Sequence, residues 1–119
     1  MAFLDKVLKK QGGIDIEDFL NNLDTEDETQ YADADAFVKP MTLVRDEDSD
    51  AVLNEAKQGN IVLLNIGDLS KRNALKLKEI VTKIRGGIEE INGDIARIST
   101  DRILITPSKV KIIKRKEAQ

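Results

Sequence analysis

The sequence predicts a small α/β (α+β) domain: two helices packed on one five-stranded mixed sheet, preceded by an amphipathic N-terminal helix and a disordered acidic linker. Three observations predict it. Strand-like and helix-like apolar periods follow one another from Phe37 to Ile113 in the order βαβαβββ. Gly59, Gly67-Asp68, Asn92-Gly93 and Pro107 punctuate those periods. Charge changes sign along the 119 residues: residues 11–36 carry nine acids and no Lys or Arg, whereas residues 37–119 carry 16 basic and 12 acidic side chains. The chain therefore divides into an amphipathic helix over 1–11, an acidic flexible linker over 12–36, a globular domain over 37–113 and a polar tail over 114–119.

Taking the elements in order, Phe3, Leu4, Val7 and Leu8 share one face of an N-terminal helix, with Lys6, Lys9 and Lys10 toward its flanks. Gly12-Gly13 stop it. A helix of about ten residues is unstable in water, but at an interface it can bury that face while its lysines meet anionic head groups. Burying four such side chains is worth about 6–10 kcal/mol at most, and ordering the backbone takes back a similar amount. One copy should bind a membrane weakly and an oligomer much more tightly. In the linker, Ile16, Phe19, Leu20 and Leu23 have helical spacing beside Asp15, Glu17 and Asp18. That stripe is either a transient helix without a partner or a docking motif.

In the domain, Phe37 to Arg45 reads as a strand that Pro40 places at an edge or bulge. Asp46 to Ser49 offers N-caps for a helix over about 50–58. Ile61 to Ile66 is a continuous apolar run, as in a strand buried on both faces. Ser70 is an N-cap candidate for a second helix with the stripe Ala74, Leu77, Ile80, Val81, Ile84, Ile88 and Ile91. Gly86-Gly87 must either end that helix or admit another backbone. Ile95–Ser99 and Arg102–Thr106 alternate around Thr100-Asp101 as a hairpin, and Val110–Ile113 reads as a last strand.

The chemistry available is narrow. There is no Cys and no His. Thiolate nucleophiles, disulfides, histidine-ligated zinc and Ser-His-Asp catalysis are thereby excluded. No phosphate-cradling glycine loop or calcium loop is present. The reading is a non-enzyme with no catalytic residue, no metal and no cofactor. The absence of a leader-like segment and of Cys fits the cytoplasm. Lys71-Arg72 near a helix start, with Lys76, Lys78 and Lys83, could make a basic helical face, and a mildly basic body suits an acidic partner. A small nucleic-acid-binding α/β domain is the alternative, disfavoured because the body has one aromatic residue, Phe37, and base stacking needs more.

Three stretches together resemble one family: Phe37-Val-Lys-Pro with Thr42-Leu-Val; Gly59 through Gly67-Asp-Leu69; and Ile88 through Ile98 followed by Arg102-Ile-Leu-Ile-Thr-Pro107. The sequence resembles SepF, the cell-division family that ties the tubulin-like FtsZ to the membrane, and its short acidic linker is similar to the archaeal type. The resemblance implies a homodimer that binds the FtsZ C-terminal peptide and sits peripherally on anionic lipid at the inner face of the cell membrane, at the division site. It implies that Arg97 and Ile103 contact the peptide, and that Gly86, with Gly87 beside it, lies on a dimer or assembly surface. No nucleic acid is implied.

Overall fold

The structure is a computed structural model and describes residues 15–24 and 28–114. The expectations for Phe3, Leu4, Lys6, Val7, Leu8, Lys9 and Lys10, and for residues 115–119, fall outside the described residues. The chain divides into two compact units, Met1–Ala34 and Asp35–Gln119. In the first unit, helix α1 (Ile16–Asn21) is capped by Asp15, whose carboxylate accepts from Glu17 N (3.2 Å) and Asp18 N (3.4 Å). A 3₁₀ turn follows over Asn22–Asp24 and another covers Glu28–Asp33. Ile16, Phe19, Leu20 and Leu23 are all exposed.

The second unit runs β1 (Val38–Thr42), α2 (Glu47–Lys57), β2 (Ile61–Asn65), α3 (Gly67–Arg72), α4 (Ala74–Glu90), β3 (Asp94–Ser99) and β4 (Arg102–Thr106). These strands form a four-stranded sheet in the order β1-β2-β4-β3. β1 and β2 are parallel, because a helix returns the chain between them, and the other two pairings are antiparallel. Val62 and Leu64 of β2 alternate with half-buried Ile61, Leu63 and Asn65. The buried set joins Ile103 and Ile105 of β4 under Val52 and Ala56 of α2 and Ile80, Ile84 and Ile88 of α4. Lys39 Nζ reaches Glu55 Oε2 of α2 at 2.9 Å, which fixes the helix-covered side of β1. That ammonium, and then the Asn60 amide, hold the Glu55 carboxyl below its ordinary value. The opposite face, where the register aligns Pro40, Leu63, Leu104 and Ala96 across all four strands, has no helix packed on it among the described residues of this unit.

The expected fifth strand is absent. Val110–Ile113 forms no ladder, since Pro107 breaks the chain and Lys109 takes a left-handed φ of 70°. β1 also ends at Thr42 rather than Arg45, where Asp48 Oδ2 accepts the backbone N–H groups of Val44 (2.7 Å) and Arg45 (2.9 Å) that a strand would need. The long second helix is divided at Asn73, an extended residue (φ −159°) whose side chain accepts from Lys76 N and so starts α4. Gly86 and Gly87 do not end that helix. Gly87 instead makes room for α2: a Cβ there would stand 2.6 Å from Leu53 Cδ2. The neighbour is a side chain, where the sequence suggested a backbone.

Candidate functional site

Arg97 and Ile103 meet because the hairpin is irregular. Ser99 opposes Arg102, so regular pairing would set Arg97 against Leu104 and on the helix-free face. A bulge between Arg97 and Ser99 shifts the register, and Arg97 opposes Ile103 instead. Arg97 therefore projects on the helix-covered side. Ile98, the extra residue, is half-exposed.

The two residues line one cleft of about 280 Å³ between the hairpin and helices α3 and α4. Its apolar wall is Ile66, Leu77, Val81 and Ile103, with Ala74 at the turn that opens α4. Its polar members are Ser70, Lys78 and Arg97, so the rim carries two cations and no carboxylate. Lys78 makes no ion pair among the described residues. Arg97 is partly committed: Nε donates to Ser99 O (3.0 Å) and Nη2 to Thr100 O (2.8 Å), which brace the turn. Arg97 is itself exposed, and its guanidinium carries further N–H donors beyond these two. Ile103 is 6 % exposed, so it is a core residue whose edge floors the cleft.

The basic helical face read from Lys71, Arg72, Lys76, Lys78 and Lys83 does not act as one surface. Lys76 bridges Asp46 (3.2 Å) and Glu79 (3.7 Å), and the Asp46 hydrogen bond raises the Lys76 pKa above its ordinary value. Lys83 lies 3.5 Å from Asp50. Two further clefts, of about 320 and 360 Å³, open beside Val44 and Arg72, but Asp46, Glu47 and Asp68 interleave with their cations. Of these three clefts among the described residues, the Arg97 cleft is the one where an acidic peptide with apolar anchors meets uniformly favourable charge. Lys78 falls in the basic row that spacing suggests, and Leu77 and Val81 fall in the core stripe, yet all three line the cleft. The signal was there: Ala74, Leu77, Lys78 and Val81 recur at helical spacing on one stripe. Gly86 has open space at its Cβ position and lies on the exposed side of α4, apart from the Gly87–Leu53 contact.

A family model described as cell division protein SepF matches residues 38–112. The chain is 27 % identical over 117 residues to cell division protein SepF of Haloferax volcanii, covering 98 % of both chains. Its fold is similar to a SepF-like protein from Pyrococcus furiosus, with TM-score 0.62 and 28 % identity, over 67 % of this chain and 96 % of that one. It is also similar in fold to the cell division protein SepF from Methanobrevibacter smithii, solved in complex with FtsZ-CTD, with TM-score 0.53 and 16 % identity over 66 % of this chain and 99 % of the other.

Proposed function

Because the chain belongs to the SepF family of cell-division proteins, we propose that it is a non-enzymatic adaptor that ties FtsZ to the inner face of the cytoplasmic membrane at the division site, working as a dimer. The observation that carries this reading is the Arg97 cleft: an apolar wall of Ile66, Leu77, Val81 and Ile103 under two cations, Lys78 and Arg97, with no acid among its lining residues. An FtsZ C-terminal peptide supplies apolar anchors and, where acidic, the complementary charge. The Methanobrevibacter relative solved with FtsZ-CTD supports that choice of ligand. A cleft this small holds only two or three side chains, which corresponds to affinity in about the micromolar range after ordering costs.

The remaining parts divide the work along the chain. Residues 1–11 form the lipid contact, through Phe3, Leu4, Val7 and Leu8 with Lys6, Lys9 and Lys10 toward anionic head groups. Residues 12–36 act as the linker, 37–113 bind FtsZ and 114–119 are a polar tail. No described helix is long and apolar enough to cross a membrane, so attachment is peripheral in this reading. A second copy covers the helix-free sheet face along Leu63, Leu104 and Ala96 and doubles the weak lipid contact. Gly86 offers a separate assembly surface on α4, while Gly87 beside it is closed off by Leu53 of α2.

The test is vesicle sedimentation together with peptide titration. Phe3→Glu with Leu4→Glu abolishes pelleting with anionic vesicles and leaves FtsZ-tail binding intact. Pelleting equal to the parent would place the anchor elsewhere, and saturable binding of RNA in place of the tail peptide would favour the nucleic-acid reading.

A further inference from the structure

Helix α1 carries an apolar surface that the functions assigned so far leave unused. Ile16, Phe19, Leu20 and Leu23 recur at i, i+3, i+4 and i+7 on one side of α1 and the turn after it. Their exposure runs from 44 % at Leu20 to 70 % at Leu23. The helix is preformed: Asp15 caps it, and Phe19 N donates to Asp15 O at 2.9 Å to close its first turn. Glu17 and Asp18 sit in that turn, and residues 11–36 hold no Lys or Arg. The surface that complements it is an apolar groove with cations at its edge.

The Arg97 cleft has that composition. Ile66, Leu77, Val81 and Ile103 wall it, and no carboxylate lines it. Lys78 stands at its rim without an ion pair among the described residues. The two clefts beside Val44 and Arg72 would set Asp46, Glu47 or Asp68 against the acids of α1. Two α1 stripes packed on each other would likewise oppose Glu17 and Asp18 with like charges. At about 280 Å³ the Arg97 cleft has room for Phe19 and Leu20 but not for all four side chains.

We infer that the α1 stripe of one copy docks in the Arg97 cleft of a second copy, where it competes with the FtsZ tail. The inference rests on the tail site proposed above and gives that site a regulation. The stripe is exposed in the single chain, so its cover comes from another molecule. A partner held in a dimer presents it at an effective concentration of up to about millimolar. Even a weak contact then fills the cleft part of the time, and apparent tail affinity falls by the fraction of clefts left open. A lone tail is held off by this competitor, whereas an array of tails displaces it through multivalency. The device therefore favours assembled FtsZ over the free subunit.

The test uses the full chain. It has no Cys, so Asn21→Cys, on the side of α1 away from the stripe, gives a unique site for a nitroxide spin label. The labelled protein is mixed and refolded with an isotope-labelled, unsubstituted copy, and amide resonances of the second copy are read by NMR. Intermolecular broadening is expected at Lys78, Val81 and Arg97, and the C-terminal peptide of the cognate FtsZ should reverse it. Phe19→Ser with Leu20→Ser should remove the broadening and tighten tail binding by about two- to fivefold, as expected if half or more of the clefts are occupied. No broadening in a mixture that binds the tail would overturn the inference and leave the tail site standing. Broadening centred on Val44 and Arg72 would also overturn it, by moving the stripe to another cleft. A tail peptide that fails to bind even the Phe19→Ser, Leu20→Ser protein would overturn the tail reading itself, and the competition with it.

Discussion

Gly93 offers a sharp test of how the hairpin is seated. It follows Asn92, a left-handed residue (φ 62°), and leads into β3. A Cβ on Gly93 would stand 2.3 Å from the Thr106 carbonyl oxygen, 3.1 Å from Ile88 Cγ2 and 3.4 Å from the Pro107 carbonyl carbon. Two of these atoms are backbone. Thr106 ends a strand paired to β3, so it cannot retreat without opening the Asp94–Thr106 end of the ladder. Overpacking of this kind costs about 1–3 kcal/mol, and a backbone neighbour puts it at the upper end. For a domain of this size that lowers Tm by roughly 10–20 °C. Gly86→Ala is the matched control: nothing lies within 4 Å of its Cβ position and the residue is mid-helix. It should gain about 0.5–1 kcal/mol from helix propensity and raise Tm by a few degrees. Thermal melts by circular dichroism read both. A Gly93→Ala protein within about 0.5 kcal/mol of the parent would show that the Thr106 carbonyl gives way to a Cβ, contrary to this packing, as would two substitutions moving Tm the same way.

Two other predictions concern the ends of the sheet and its open face. Lys114 foremost, with the Ile112 N–H next, holds the Asp94 carboxyl below its ordinary 3.8, at about 2. The folded value is the lower one, so this stabilisation is complete above about pH 4 and is lost as pH falls through about 2. Acid melts of the parent and of Asp94→Asn should therefore converge over that window, having differed by roughly 1–2 kcal/mol at neutral pH, and a constant gap would deny the role of the charge. Leu63→Lys with Leu104→Lys should yield a folded monomer by light scattering, because adjacent like charges on β2 and β4 cannot be covered by a second copy. A dimer that persists would move the interface to another face.

The apolar run at Ile61 and the stripe from Leu77 to Ile91 were legible because periodicity reports burial, and both elements formed. In β2, however, Val62 and Leu64 are buried while Ile61 and Leu63 stay half-buried, so the strand is not buried on both faces. What escaped were features set by single polar groups and by register. Asn73 interrupts a stripe whose spacing never breaks, because an extended cap residue costs the pattern nothing. Gly67-Asp68 ends the strand as read, but it also opens α3, with Asn65 Oδ1 accepting from Gly67 N at 2.9 Å. The segment Val110–Ile113 has strand composition, yet Asp94 takes the Ile112 N–H group that a ladder would require. The side of the sheet that Arg97 occupies depends on a one-residue bulge, which alternation alone cannot reveal. The resemblance singled out Arg97 and Ile103, and the cleft they share also brings Lys78 from a helix that sequence spacing had linked to other cations.

The proposed binding of an FtsZ tail in the Arg97 cleft is tested most cleanly at Lys78. Arg97→Glu would also remove the bonds that brace the turn, and Ile103→Ala would leave a core cavity worth about 2–5 kcal/mol. Lys78 is an exposed cleft residue whose side chain makes no hydrogen bond or ion pair among the described residues. The measurement is calorimetric titration of the full chain and of Lys78→Glu with the C-terminal peptide of the cognate FtsZ, at low and at high salt. Saturable binding is expected of the parent, with a loss of about five- to tenfold for Lys78→Glu at low salt and a narrower gap at high salt. Equal affinity for the two proteins at low salt would contradict it.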